Sequence, residues 1–168
     1  MRKFRSNSVV SLGLLLSAAL VSSNALAQPQ AQAARPLRLF VDRPLQIGLV
    51  TGTGSVTVPA QLNGTRVSSQ GLTLLNGLPV TSAIVRAVGE PNSLVSIFIA
   101  DLDRLYASGG DTVDFAFEDN LPGSLQLDDP GNGSDGSYTF YIGGTVTVRG
   151  TETAGPYAGH LVLNASYN

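Results

Sequence analysis

The residues best suited to bind an ion lie in one glycine-rich segment, 128–136 (DDPGNGSDG). Its oxygen-bearing side chains include Asp128, Asp129, Asn132 and Asp135, and calcium is held by carboxylate and amide oxygens of this kind. The spacing does not match an EF-hand loop, in which a glutamate completes the ligand set. A polar connection between two strands would have the same composition. The segment is therefore a candidate calcium loop, with a solvated connection as the alternative.

Covalent catalysis has little support among the reactive residue types. The sequence has one histidine, His160. A catalytic triad of serine, histidine and aspartate would need this residue. The sequence lacks the G-x-S-x-G turn of many hydrolases and the glycine-rich phosphate-binding motifs. It has no cysteine, which excludes a disulfide framework, a zinc–thiolate site and a cysteine nucleophile. A carboxylate pair for glycoside hydrolysis remains open, but we expect a protein that is not an enzyme and uses no cofactor.

Short strands are the elements that would position these residues. From Pro36 onward, runs of alternating polarity are separated by turn signals such as Asn-Gly and Pro-Gly. Turn signals about ten residues apart are typical of antiparallel β-sandwiches and barrels, so residues 36–168 are expected to form one all-β domain. A helical turn is predicted at 101–108, and Gly143-Gly144 is predicted to be a turn between two strands. The predicted strands are 37–41, 45–50, 55–59, 71–75, 81–88, 93–99, 112–118, 124–127, 138–142, 145–149 and 157–166.

Residues 1–27 have the organisation of a secretory signal peptide. Three basic residues precede an uncharged, mostly apolar stretch of 13 residues, 9–21, and Ala25-Leu26-Ala27 offers small residues for cleavage. In a helix that stretch would be about 20 Å long, which is too short for a hydrocarbon core of about 30 Å. We therefore expect cleavage after Ala27, a polar and mobile arm over residues 28–35, and export to the periplasm, the outer surface or the medium.

Removal of the signal peptide would make the chain more acidic. Seven scattered arginines and no lysine would face twelve acidic residues. Proteins that bind nucleic acids or anionic membrane surfaces present a basic patch, so neither partner is expected. No later stretch is long and apolar enough to predict a membrane-spanning helix.

The alternation is most regular at the end of the sequence. Leu161, Leu163, Ala165 and Tyr167 fall on one face of the predicted strand, which would pack on a core. The pattern Y-x-G-x-L-x-L-x-A-x-Y over 157–167 resembles the ending of a bacterial secreted family known as domain of unknown function 4402. Two earlier segments, LQIG at 45–48 and TGSVTV at 53–58, resemble strands of the same family.

This family is similar to secreted pilins and spore-coat-U proteins. The resemblance implies an immunoglobulin-like or pilin-like antiparallel β-sandwich with a fimbria-like surface or adhesion role. Chaperone–usher pilins tend to have a glycine 14 residues from the end and a penultimate aromatic residue, and Gly155 and Tyr167 match those positions. This implies a final strand that is completed by a strand from a like subunit or a periplasmic chaperone. The implied acceptor residues are Gly155, Tyr157, Gly159, Leu161, Leu163, Ala165 and Tyr167.

Two functions remain open at this level. In the first, the protein is a structural or adhesion subunit, and Leu37, Leu39 and Val41 are the alternating apolar residues donated to a neighbour. In the second, those residues form the first strand of their own domain. The sandwich would then be self-complete, and its loops would bind calcium or a glycan.

Overall fold

The computed structural model describes residues 35–63, 65–100 and 103–168. The predicted signal peptide and residues 28–34 of the predicted arm lie outside these ranges. Within them the chain forms thirteen strands and no helix, which confirms the all-β prediction, and no helix there could span a membrane. The strands are β1 (Arg38–Arg43), β2 (Leu49–Gly52), β3 (Gly54–Val58), β4 (Val67–Ser68), β5 (Leu72–Leu75), β6 (Ala83–Gly89), β7 (Leu94–Ala100), β8 (Arg104–Ala107), β9 (Thr112–Asp119), β10 (Leu125–Gln126), β11 (Gly136–Val148), β12 (Tyr157–Ala158) and β13 (Val162–Tyr167).

The larger sheet is antiparallel and is built around β11, its longest strand. Its hydrogen-bonded order is β1-β6-β11-β9-β8-β12, and β3 pairs with both β11 and β4. The first half of β11 pairs with β6, with Phe140 opposite Val85, and the second half pairs with β3, with Val146 opposite Val56. On its other side β11 pairs with β9. β11 therefore joins the strands on both its sides into one sheet.

A smaller sheet faces the larger one across the core. It contains three strands in the order β10-β7-β13, and β2 and β5 form a separate two-stranded sheet. Ile99 and Leu163 of the smaller sheet pack with Val85, Phe140 and Ile142 of the larger sheet, and Phe140 is fully buried. Apolar side chains at alternate positions thus fill the space between two sheets, as in a β-sandwich.

The Gly143-Gly144 pair is not a turn, and the two strands predicted on either side of it are one continuous strand, β11. Neither glycine has a positive φ. A Cβ atom on Gly143 would collide with the carbonyl oxygen of Val58, and one on Gly144 would lie 2.5 Å from the ring of Phe115. Both positions therefore require glycine because neighbouring strands approach closely there. A Gly-Gly pair in the sequence does not distinguish this situation from a turn.

The helical turn predicted at 101–108 is also wrong for its described part. Residues Arg104–Ala107 form β8, which pairs with β9 and with β12. Leu105 is half-buried against the core, and its neighbours Arg104 and Tyr106 are exposed. This alternation is that of a strand; it is too short to stand out in the sequence.

The predicted strand 157–166 is interrupted, although its alternation is right. β12 pairs with β8 in the larger sheet, whereas β13 pairs with β7 in the smaller sheet. The chain crosses from one sheet to the other between Ala158 and Val162. Leu161, Leu163 and Ala165 still pack on the core clusters, so the interruption does not change which side chains of this segment face inward.

Candidate functional site

β13 is the edge strand of the smaller sheet. It pairs antiparallel with β7 in an unbroken register from Val162 opposite Ala100 to Tyr167 opposite Val95. Among the described strands none pairs with its other edge. The backbone groups on that side are therefore available to an added strand.

The register determines which amides face the free edge. In an antiparallel pair, successive N–H groups point alternately toward the partner strand and away from it. Asn168, just after β13, donates its N–H to the carbonyl oxygen of Leu94 at 3.1 Å. Even-numbered residues therefore bond to β7, and the N–H groups of Leu163, Ala165 and Tyr167 point toward the free edge.

The two faces of β13 have different environments. Leu163, Ala165 and Tyr167 point inward and are half-buried, whereas the intervening side chains are exposed. Val162 is 57% exposed. The strand has no charged residue and no proline.

The other strands at the ends of the described sheets are protected. β1 contains Arg38, Asp42 and Arg43 and has a register shift between Val41 and Arg43. β4, β10 and β12 have two residues each, and β2 and β5 have four. Charges, irregularities and short length are the usual means by which proteins prevent pairing at an edge. β13 has six residues and none of these features, so among the described strands at the end of a sheet it is the one without such protection.

β1 belongs to the larger sheet, whereas β13 belongs to the smaller sheet. β1 pairs with β6 of its own chain, with Arg38 opposite Val88. Leu37 and Leu39 are half-buried and pack on the same core cluster as Ala165 and Tyr167. Val41, the third residue predicted to be donated, is 62% exposed. The structure thus places Leu37 and Leu39 in the core of their own domain, and they are not free for donation to a neighbour.

The remaining residues of the predicted acceptor set lie away from the free edge. Tyr157, in β12, packs on the cluster that contains Val56 and Val113 and donates its hydroxyl to the carbonyl oxygen of Thr153 at 2.7 Å. Burial raises the pKa of Tyr157. Gly155 is exposed, and a Cβ atom there would meet nothing within 4 Å.

The crossing segment holds three further residues of interest. Gly159 and His160 are exposed between β12 and β13, and Leu161 is half-buried. Of the predicted acceptor residues, Leu163, Ala165 and Tyr167 are the ones that lie in the edge strand β13.

Asp135 of the candidate calcium loop is paired with arginines. Its two carboxylate oxygens lie 2.9 Å from the guanidinium groups of Arg35 and Arg38. Arg35 also donates to the carbonyl oxygen of Gly133 at 2.6 Å. Arg35 and Arg38 therefore neutralise the charge of the Asp135 carboxylate.

The other predicted calcium ligands are likewise engaged with protein donors. The Asp128 carboxylate accepts the backbone N–H of Ser137, and the Asp129 carboxylate accepts the side-chain amide of Asn92 at 2.8 Å. The Asn132 oxygen accepts a backbone N–H of its own loop. No cluster of three or more histidine, cysteine or acidic residues able to hold a metal occurs in the described ranges. The structure does not bring the four predicted ligands together into a calcium site.

Arg35 is a residue whose role sequence reasoning missed. Its backbone N–H donates to the Glu90 carboxylate at 3.1 Å, and its carbonyl oxygen accepts the Tyr167 hydroxyl at 2.7 Å. The prediction of a mobile arm up to residue 35 is therefore wrong at Arg35. Arg35 ends a polar, alanine-rich stretch that has the composition of a linker. Nothing in the neighbouring sequence indicates that its partners are Glu90, Asp135 and Tyr167.

Comparison with known proteins assigns the family. No curated protein and no solved structure matches the chain. A family model described as a domain of unknown function matches residues 43–167, which includes the whole of the core-forming sequence from the end of β1 to the end of β13. The chain belongs to the family called domain of unknown function 4402 (DUF4402).

Proposed function

We propose that this protein is an exported, non-enzymatic subunit of a cell-surface structure, with a structural or adhesion role, and that it assembles by β-strand addition at β13. The observation that carries the proposal is the contrast between β13 and the other strands that lie at the ends of the described sheets. The others are short, charged or irregular, whereas β13 is regular and uncharged over six residues. An edge that lacks protection in an exported protein is expected to have a partner.

The chemistry of β13 suits an incoming strand. Three successive outward N–H groups provide backbone hydrogen bonds, which supply affinity in strand addition. The inward side chains of Leu163, Ala165 and Tyr167 are only half-buried, so apolar side chains from an added strand would extend the core. The resemblance to pilins and spore-coat-U proteins is in line with this mode of assembly, with a like subunit or a periplasmic chaperone as the partner.

A self-complete binding module is the second candidate. The observation in its favour is that β1 occupies its own sheet, where Leu37 and Leu39 cover the core. Such a protein would be monomeric, and exposed loops would contact a ligand such as a glycan. The two candidates differ in whether the free edge of β13 is used.

A proline on β13 tests the proposal. Proline has no N–H, and the N–H of residue 165 points away from β7, so Ala165→Pro removes an edge donor without removing a bond to β7. Ala165→Ser retains the N–H and is the matched control. The full chain would be exported by its own signal sequence, its intact mass would locate the cleavage site, and its assembly would be measured by light scattering and by electrophoresis without boiling.

We expect wild type and Ala165→Ser to form species larger than one chain, and Ala165→Pro to be a folded monomer with a cooperative urea transition. Should the proline variant fail to fold, the double variant Asn164→Lys/Ser166→Lys places charges on the exposed face of the same edge. The proposal is overturned if the folded edge variant has the same assembly state as wild type.

A further inference from the structure

We infer that the strand paired with β13 is β13 of a second copy of this chain, antiparallel, about a two-fold axis that passes beside Ala165. This inference rests on the proposed function, because it names the partner of the same edge. It follows from the direction of the free amides, from the residues that the axis brings together and from the absence of charge.

The free amides and carbonyls are arranged for self-pairing. With Ala165 opposite Ala165 of the second copy, each of these residues donates its N–H to the carbonyl oxygen of the other, as in a hydrogen-bonded antiparallel pair. Leu163 then lies opposite Tyr167 of the second copy and exchanges hydrogen bonds with it in the same way. All three outward N–H groups of each strand thereby find an acceptor.

The side chains brought together by this register are compatible. On the inner face, an aliphatic residue meets an aromatic one, Leu163 against Tyr167, which is a favourable cross-strand pair. On the outer face, Asn164 lies opposite Ser166, and both are polar and uncharged. The inner residues would continue the apolar layer from one subunit into the next.

Electrostatics also favour a meeting at this strand. Beyond Ala27 the chain has twelve acidic and seven basic residues, so two copies repel each other on average. β13 carries no charge, and its neighbour β7 carries none either. The edge of the smaller sheet is therefore a place where two acidic copies meet without like charges facing each other.

A two-fold axis at Ala165 pairs more residues of β13 than an axis at the preceding residue, Asn164. It pairs residues 162–168, the whole of β13 and Asn168. An axis at Asn164 would pair only 162–166 within β13 and would leave Tyr167 without an opposite strand residue. Because each paired residue adds backbone hydrogen bonds, the longer register is preferred.

Cysteine cross-linking distinguishes these registers, since the chain has no cysteine of its own. With the axis at Ala165, positions 164 and 166 of opposite copies form a non-hydrogen-bonded pair with Cα atoms about 4.5 Å apart, within the range for a disulfide. Position 164 and its own copy are offset along the strand by about 7 Å, too far for a disulfide once the spacing between strands is added.

The experiment mixes full-length exported Asn164→Cys protein with Ser166→Cys protein under mild oxidation. We expect a disulfide-linked dimer in the mixture, at least tenfold more than in either protein alone, and loss of that dimer when both proteins also carry Ala165→Pro. Equal cross-linking of Asn164→Cys alone would show the other axis and overturn the inference.

The two experiments together distinguish a wrong partner from a wrong mode of assembly. If the mixture gives no cross-linked dimer but wild type still forms larger species that Ala165→Pro abolishes, another strand occupies the edge, and the self-pairing inference is wrong. If wild type and folded Ala165→Pro have the same assembly state, strand addition itself is wrong.

Discussion

The hydroxyl of Tyr167 donates a hydrogen bond to the carbonyl oxygen of Arg35 at 2.7 Å. Tyr167 and Arg35 are 132 positions apart in the chain. The same hydroxyl accepts the backbone N–H of Glu90 at 2.7 Å. Arg35 in turn forms ion pairs with Asp135 and Glu90. One phenol group thus connects the final strand, the turn after β6 and the entry of the domain.

Loss of this hydroxyl is expected to destabilise the domain. In Tyr167→Phe the N–H of Glu90 and the carbonyl oxygen of Arg35 lose a partner in a partly buried site, at a cost of about 1–3 kcal/mol. Urea denaturation of the purified protein measures this difference. Tyr106→Phe, at a 53% exposed side chain, is the control and should cost much less. Equal unfolding free energies for the two variants would contradict the role of the Tyr167 hydroxyl.

The close packing at Gly143 predicts a sharp difference between two glycines. A Cβ atom at Gly143 would collide with the carbonyl oxygen of Val58, whereas one at Gly123 would meet nothing within 4 Å. Neither glycine has a positive φ, so the comparison isolates packing. Gly143→Ala should lower the free energy of unfolding by about 1–3 kcal/mol, and Gly123→Ala should leave it nearly unchanged. Similar denaturation midpoints for both variants would show that β3 does not approach β11 this closely.

The segment before β12 should be sensitive to acid. The backbone N–H of Arg149 donates to the Glu152 carboxylate at 2.8 Å, and with the N–H of Gly150 it lowers the pKa of Glu152. A carboxylate whose pKa is lower in the folded state contributes stability above its unfolded pKa, near 4.5, and loses it as the pH falls through the folded value.

We therefore expect the melting temperature of wild type to exceed that of Glu152→Gln at pH 7, and this difference to shrink as the pH falls below 4.5 and through the lowered pKa of Glu152. Thermal unfolding followed by circular dichroism over this range measures the effect. A difference that stays constant from pH 7 to pH 3 would mean that the Glu152 charge does not contribute.

Calcium is expected to leave the stability of this protein unchanged. The Asp135 carboxylate is neutralised by Arg35 and Arg38, and Asp128 and Asp129 accept hydrogen bonds from protein donors. A cation that bound the folded state would raise the melting temperature. The measurement compares melting temperatures in millimolar calcium and in a chelator, with magnesium as the control. A rise specific to calcium would restore the calcium-loop interpretation.

Local pattern was enough to predict the class of fold and the faces of most strands. Side chains alternate across a strand with a period of two, so Leu163, Ala165 and Tyr167 could be placed on the core face. The turn residues divided the chain into short strands, and the absence of cysteine excluded disulfides. These properties depend on a few adjacent residues, which is why the sequence by itself determined them.

Tertiary structure decided which strands pair and what each ambiguous residue does. Gly143-Gly144 has the composition of a turn, but the approach of Val58 and Phe115 requires glycine inside a strand. The strand predicted at 157–166 divides between two sheets because β8 and β7 lie on opposite sides of the core. The partners of Tyr167 and the exposure of the β13 edge depend on contacts between residues far apart in the chain. Patterns among adjacent residues do not indicate such contacts, so only the folded chain could establish them.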